Sequence, residues 1–119
     1  MKLRNTVAAA VAAFALVLSL PASALAASGD FHYTYRDDNG VERSGTLHDP
    51  ESDRCVNLDA VGSDDVDPGY APHNQTDSWV TVYLGADCEG PDWRLRPHGR
   101  PATDRLLVRS VRFDVNEWR

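Results

Sequence analysis

The first 26 residues hold a disproportionate share of the apolar side chains, and this imbalance limits what the rest of the chain can fold into. Of the 50 hydrophobic residues, 19 fall within residues 1–26, which leaves 31 in the remaining 93 residues. Those 93 residues carry ten Arg, no Lys and 18 Asp and Glu, a net charge of −8. Such a chain forms one small domain with little apolar core. Its negative field repels phosphate, which argues against nucleic acid and anionic membranes as partners.

Residues 1–26 have the pattern of a secretory signal peptide. Lys2 and Arg4 give a positive start, and an apolar run follows over residues 7–20. Small residues then lead to a predicted cleavage after Ala26. A transmembrane anchor is the alternative interpretation, but this run is shorter than the ~20 residues that a spanning helix needs.

Cleavage after Ala26, or at a second possible site in residues 22–24, would release a secreted, extracellular domain. In that compartment thiols oxidise, and Cys55 and Cys88 are the two cysteines of the chain. An even pair has one connectivity, so a disulfide between them is predicted. Closing a loop of this size would stabilise the fold by roughly 3–4 kcal/mol on the chain-entropy account.

Strand and turn signals recur after residue 26, whereas helix signals are nearly absent. Phe31, Tyr33 and Tyr35 alternate with polar residues, as in a half-buried strand. Asn39-Gly40 then predicts a hairpin turn, because both residue types tolerate positive φ, and residues 41–47 would return as the second strand.

Further strands are predicted over residues 55–58, 79–84, 92–95 and 106–115. The remainder of residues 49–73 is interpreted as turn-rich, with an acidic surface loop between the cysteines. Several short strands separated by turn-rich loops favour an all-β sandwich or Greek-key barrel. We expect a single domain over residues 27–119, and a monomer.

Residues 80–114 resemble one Greek key of a βγ-crystallin-like domain. In that family an aromatic residue of the first strand precedes a glycine by seven residues, and a second aromatic follows shortly. Tyr83, Gly90 and Trp93 fill these positions. The corner of the folded hairpin requires a glycine with unusual φ. Where the family usually has one more aromatic, this chain has Cys88, so a disulfide would replace the aromatic corner.

The resemblance extends to the closing strand and to the whole chain. Ser110-Val111-Arg112-Phe113 matches the Ser-Val-Arg-like end of the key, while residues 31–78 fit the other key only loosely. The arrangement resembles small secreted actinobacterial proteins grouped with the streptomycete metalloproteinase inhibitors and the killer-toxin-like βγ-crystallins. It implies a βγ-crystallin-like Greek-key sandwich and a non-enzymatic peptidase inhibitor. The alternative is a toxin-like, cell-envelope or carbohydrate-binding module.

No motif for catalysis is present in the sequence. It has no G-x-S-x-G elbow, HExxH or Gly-rich phosphate loop, and its four His are isolated. With 18 acidic residues, two carboxylates would meet by chance, so an acid/base pair carries little information. We therefore predict no enzymatic activity, no catalytic residue and no cofactor.

The resemblance makes calcium the candidate metal, because many βγ-crystallin domains bind it through Asn, Asp, Ser and Thr side chains. The matching positions at the last strand are Arg105, Leu106, Arg109 and Ser110. Only the serine offers oxygen to a hard cation, so that site is predicted to be lost. Residues 73–78 keep part of the oxygen donors, and residual calcium binding near Asn74–Ser78 stays open. We predict no metal site.

A binding role follows, with Cys55, Val56 and Asn57 as the candidate protease-contact loop. A disulfide would pin this segment, and rigidity reduces the entropy lost on binding. Val56 would then offer an apolar side chain to the pocket of an extracellular protease. The alternative interpretation places Val56 and Leu58 in the core of an interior strand.

The carbohydrate-binding alternative depends on the three tryptophans of the chain. Trp79, Trp93 and Trp118 would form an aromatic binding surface. Core packing is the favoured interpretation for Trp93.

Overall fold

The computed structural model describes residues 26–115, and these form two antiparallel β-sheets joined by loops and one 3-10 turn at Ala86–Cys88. Residues 1–25, with nearly all of the predicted signal peptide, and residues 116–119, with Trp118, lie outside the described part. The strands in chain order are β1 Gly29–Arg36, β2 Glu42–His48, β3 Cys55–Asn57, β4 Gly69–Thr76, β5 Val80–Tyr83, β6 Asp92–Leu95, β7 Leu107–Val108 and β8 Ser110–Phe113. The all-β prediction is confirmed.

Each half of the chain gives one strand to the sheet of the other half. The first sheet has the order β2-β1-β4-β7, and the second has the order β3-β8-β5-β6. In each half, the first strand pairs with the second and the fourth, while the third strand crosses to the edge of the opposite sheet. The two halves therefore follow the same path.

The predicted hairpin of β1 and β2 is confirmed. Gly40 has φ of 76°, and its N–H donates to the carbonyl of Asp37 at 2.9 Å. The carboxylate of Asp37 accepts from the N–H groups of Asn39 and Val41 and from Arg43 Nε at 2.7 Å. The hydrogen bond from Arg43, followed by those from the backbone, lowers the pKa of Asp37. One side chain thus satisfies two of the backbone donors of the turn.

The prediction of a turn-rich segment up to residue 73 is wrong for β4, which pairs with β1 in the interior of the first sheet. Pro72 lies within β4, and a proline normally argues against a central strand because it lacks the N–H. Here the register shifts between His32 and Thr34 of β1, and Ala71 has φ of 52°. The β-bulge at this point accommodates the proline.

The predicted strand over residues 106–115 is wrong as a single element. The chain breaks at Arg109, where β7 leaves the first sheet and β8 enters the second. Val108, Val111 and Phe113 are all buried. Their spacing of three and then two residues does not fit one continuous strand, in which alternate residues share a face.

The core lies between the two sheets. Phe31 of β1 meets Phe113 of β8 edge to face, with ring centroids 5.7 Å apart and an interplanar angle of 88°. The other buried hydrophobic residues are Ala27, Tyr33, Leu58, Val61, Val80, Val82, Val108 and Val111. Burial also raises the pKa of the Tyr33 phenol. Both sheets therefore contribute to one contiguous core, as in a sandwich.

The Cys55–Cys88 disulfide is confirmed and joins β3 to the 3-10 turn, with the two Cα atoms 5.9 Å apart. A disulfide of this kind is typical of proteins in oxidising, extracellular compartments. Because β3 is only three residues long, this covalent bond holds a strand whose own ladder is short.

Candidate functional site

β3 is an edge strand with one side open. It pairs with β8 through Cys55↔Arg112, Val56↔Val111 and Asn57↔Ser110. Asp114 of the same chain segment donates its N–H to Trp79, on the β5 side. The N–H and C=O groups of successive residues in an antiparallel strand point alternately to the two neighbouring strands. Because the N–H of Asp114 points to β5, the main-chain groups of Val111 point to β3 and bond to Val56. The N–H and C=O groups of Cys55 and Asn57 therefore point away from the sheet.

The exposed residues of β3 are braced by the segment that contains Cys88. The disulfide holds Cys55, and two reciprocal hydrogen bonds hold Asn57. Nδ2 of Asn57 donates to Oδ1 of Asp87 at 2.9 Å, and the N–H of Asp87 donates to Oδ1 of Asn57 at 2.8 Å. Together with the ladder to β8, the strand is therefore held by two elements, β8 and the turn at Ala86–Cys88.

The side chain of Val56, which the protease-pocket hypothesis placed in a peptidase pocket, is only partly exposed. It is half-buried and packs against the core, and Leu58 is fully buried with 1% exposure. Leu58 lies in the core as the alternative interpretation supposed, whereas Val56 is only partly buried and β3 is an edge strand, not an interior one. Contact between β3 and a partner would use the main chain of Cys55 and Asn57.

A groove of about 510 Å³ runs beside β3. Besides β3, it is lined by Leu47, His48, Asp49, Pro50, Glu51 and Arg54. Its charges are mostly paired, since Arg54 contacts Glu51 at 2.8 Å and His48 Nδ1 contacts Asp30 at 2.7 Å. The hydrogen bond to Asp30, together with the charge of Asp49, raises the pKa of His48. The groove lies next to the open edge of β3.

The corner that carries Cys88 is built on Ser110 and Gly90. The buried hydroxyl of Ser110 accepts from the N–H of Cys88 at 2.9 Å and donates to the carbonyl of Gly85 at 2.7 Å. Gly90 has φ of 84°, as the folded hairpin requires. These contacts fold the segment between β5 and β6 over the outer face of the second sheet and place the sulfur of Cys88 next to β3.

Trp79 and Trp93, the two tryptophans in the described part of the chain, do not form one platform. Trp93 is 62% exposed on the edge strand β6, so the expectation that it packs in the core is wrong. Trp93 is paired with Val82, whose side chain faces the core. The next residue, Arg94, points to the other face of the sheet, where its guanidinium lies over the ring of Trp79, 4.7 Å from the centroid. Since neighbouring residues of a strand point to opposite faces, Trp79 and Trp93 face different directions.

At the position that would hold calcium in the resemblance, Arg109 supplies a positive charge of its own. Its guanidinium donates to the carbonyls of Val66 at 2.8 Å, Leu84 at 2.9 Å and Ser63 at 3.2 Å. The oxygen of Asn74 is likewise engaged, since it accepts from Thr76. Among residues 26–115, no three His, Cys, Asp or Glu side chains are grouped so that they could hold a metal ion.

A second cavity, of about 490 Å³, was not predicted from the sequence. It lies beside the chain that leaves β6, and Arg94, Arg96 and Arg100 line it together with His98. The sequence did contain an indication of this basic cavity. Residues 93–103 hold three Arg and one His but no acidic residue, in a chain rich in Asp and Glu.

No protein-family model, no curated protein and no solved structure matches this chain. In the described part of the chain, no helix has the length and apolar character needed to cross a membrane.

Proposed function

We propose that the protein is a secreted, non-enzymatic binding protein that inhibits an extracellular peptidase through the open edge of β3. One observation carries the proposal: the exposed main chain of Cys55 and Asn57 is extended, accessible and braced by a disulfide and by Asp87. Proteins commonly recognise an extended segment by adding it to the edge of a sheet. A peptidase that binds its substrate as a strand would receive β3 in this way.

The fold proposed for this protein is a βγ-crystallin-like pair of Greek keys. The exchange of β3 and β7 between the two sheets supports it, because both halves follow the same strand order. The corner at Gly90 and the buried hydroxyl of Ser110 support it as well. The resemblance first noted for residues 80–114 then extends to residues 29–76, in spite of their loose sequence match.

Inhibition would result from restraint of the bound segment. A substrate gains freedom when its main chain is cut, and its fragments leave. In β3, the ladder to β8 and the disulfide would hold both sides of the contact in place. The segment would therefore bind at a reduced entropic cost and would not be released.

The test is a titration of the exported, oxidised protein against a thermolysin-like metalloprotease and a subtilisin-like serine protease. We expect the Asn57→Pro variant to lose inhibition, because proline removes the outward N–H that would bond to the peptidase. The Asn57→Ala variant is the matched control, since it also loses the bonds to Asp87 but keeps the main-chain N–H. Absence of inhibition of both enzymes by micromolar wild-type protein, or equal inhibition by the two variants, would refute the proposal.

A further inference from the structure

The second cavity carries a local positive charge that its surroundings do not neutralise. Arg94 pairs with Asp114, whereas Arg96 and Arg100 are exposed and make no ion pair with any residue in the range 26–115. Residues 93–103 hold no acidic side chain. Two guanidinium groups are thus left facing solvent in a domain that is otherwise strongly acidic.

The loop that presents these groups is fixed to β4 before any ligand arrives. The N–H of His98 donates to the carbonyl of Thr76 at 3.2 Å, and the N–H of Ala102 donates to that of Pro72 at 2.9 Å. Nε2 of His73 donates to the carbonyl of Gly99 at 3.0 Å. A preorganised site loses less entropy on binding than a mobile loop would.

The cavity is larger than a bare anion requires. Its volume of about 490 Å³ is in the range of sites for small organic ligands, and Leu95 and Gly99 line it beside the arginines. Guanidinium groups recognise carboxylate and phosphate oxygens through paired hydrogen bonds. The cavity therefore combines an oxyanion contact with room for the body of a ligand.

We propose that this cavity binds a small organic carboxylate, with Arg96 and Arg100 contacting the carboxylate oxygens. The restricted extent of the basic segment favours a ligand that places one or two charges here, because the net charge of −8 repels a long, densely charged polymer. The inference goes beyond peptidase inhibition and does not rest on it, since β3 lies at the opposite edge of the second sheet from β6.

The test is calorimetric titration of the mature protein with trigalacturonate, with neutral maltotriose as the uncharged comparison. We expect trigalacturonate to bind and maltotriose not to bind, and the Arg96→Ala/Arg100→Ala variant to lose about tenfold or more in affinity. Arg54→Ala is the matched control, because Arg54 is also exposed but lines the groove beside β3. It should bind trigalacturonate as the wild type does.

Several outcomes would overturn the proposal. These are no binding of trigalacturonate, an equal loss in Arg54→Ala, or an affinity for inorganic phosphate that equals the affinity for trigalacturonate. A second test does not depend on the folding of a variant: wild-type affinity should fall when the salt concentration rises about tenfold, because salt screens exposed charges. Affinity that does not change with salt would also refute the contact with Arg96 and Arg100.

Discussion

Asn74 of β4 holds Arg96 in place, since its Nδ2 donates to the carbonyl oxygen of Arg96 at 3.0 Å. The same nitrogen donates to the carbonyls of Ser78 at 2.8 Å and Leu95 at 3.3 Å, and the amide oxygen accepts from Thr76. Asn74 is 1% exposed. One buried amide thus connects the first sheet to the chain that leaves the second and positions the wall of the basic cavity.

Replacement of Asn74 by alanine should destabilise the domain by about 2–4 kcal/mol, because buried carbonyl groups lose their donor. Urea unfolding of the two proteins measures the difference. Gln75→Ala is the matched control: Gln75 is the exposed neighbour on β4, and its loss should cost less than about 1 kcal/mol. A similar free energy of unfolding for Asn74→Ala and the wild type would contradict the role given to this amide.

Removal of the Arg109 guanidinium should also be costly. In Arg109→Ala, the carbonyls of Ser63, Val66 and Leu84 lose a charged donor, and we expect a loss of about 2–4 kcal/mol in the free energy of unfolding. Arg112→Ala serves as the control, since within residues 26–115 Arg112 forms only an exposed ion pair with Asp53 and should contribute about 1 kcal/mol or less. Equal losses of unfolding free energy in the two variants would show that the carbonyl contacts of Arg109 stabilise the fold no more than an exposed ion pair does.

The disulfide should contribute a similar amount to the free energy of unfolding, because it restricts the conformations of the unfolded chain. The double variant Cys55→Ser/Cys88→Ser frees a loop with a sequence separation of 33 residues, and we expect its unfolding free energy to fall by about 3–4 kcal/mol. Comparison of urea midpoints under oxidising conditions measures the change. If the exported wild-type protein shows two free thiols by mass spectrometry, the bond and this prediction are both wrong.

His48 should make stability depend on pH in one direction. Asp30, and then Asp49, raise its pKa in the folded state above the ordinary value of 6.5. The charged imidazole therefore stabilises the fold fully below pH 6.5, and this contribution is lost as the pH rises through the folded pKa. The stability difference between the wild type and His48→Gln should be larger at about pH 5.5 than at about pH 8.5. A difference that grows with rising pH would contradict the assignment, and an NMR titration of the ring reports the pKa directly.

The sequence predicted correctly the hairpin and the turn that are specified by residues adjacent in the chain. The Asn39-Gly40 turn and the alternation of Phe31 and Tyr33 specify the β1–β2 hairpin, because a turn type and a period of two are properties of adjacent residues. The single pair of cysteines was enough to predict the disulfide. These features need no knowledge of distant parts of the chain.

The features that the sequence did not predict all depend on distant contacts. β4 contains Pro72, and only its pairing with a bulged β1 makes that residue acceptable in a central strand. The break at Arg109 follows from carbonyl groups that come from two other loops. The exposure of Trp93 depends on the position of β6 at the edge of its sheet. A residue pattern alone does not reveal which strand becomes an edge.

The corner glycine offers a test of backbone conformation that is separate from packing. Gly90 has φ of 84°, and a Cβ added there would meet no atom closer than 3.5 Å. Gly90→Ala should therefore destabilise the domain by about 1–2 kcal/mol through the left-handed backbone alone. Gly40→Ala is the matched control, because Gly40 has φ of 76° in an open turn where an added Cβ also meets nothing. Urea unfolding should give similar losses for the two variants, whereas a much larger loss for Gly90→Ala would mean that the corner is more tightly packed than its geometry indicates.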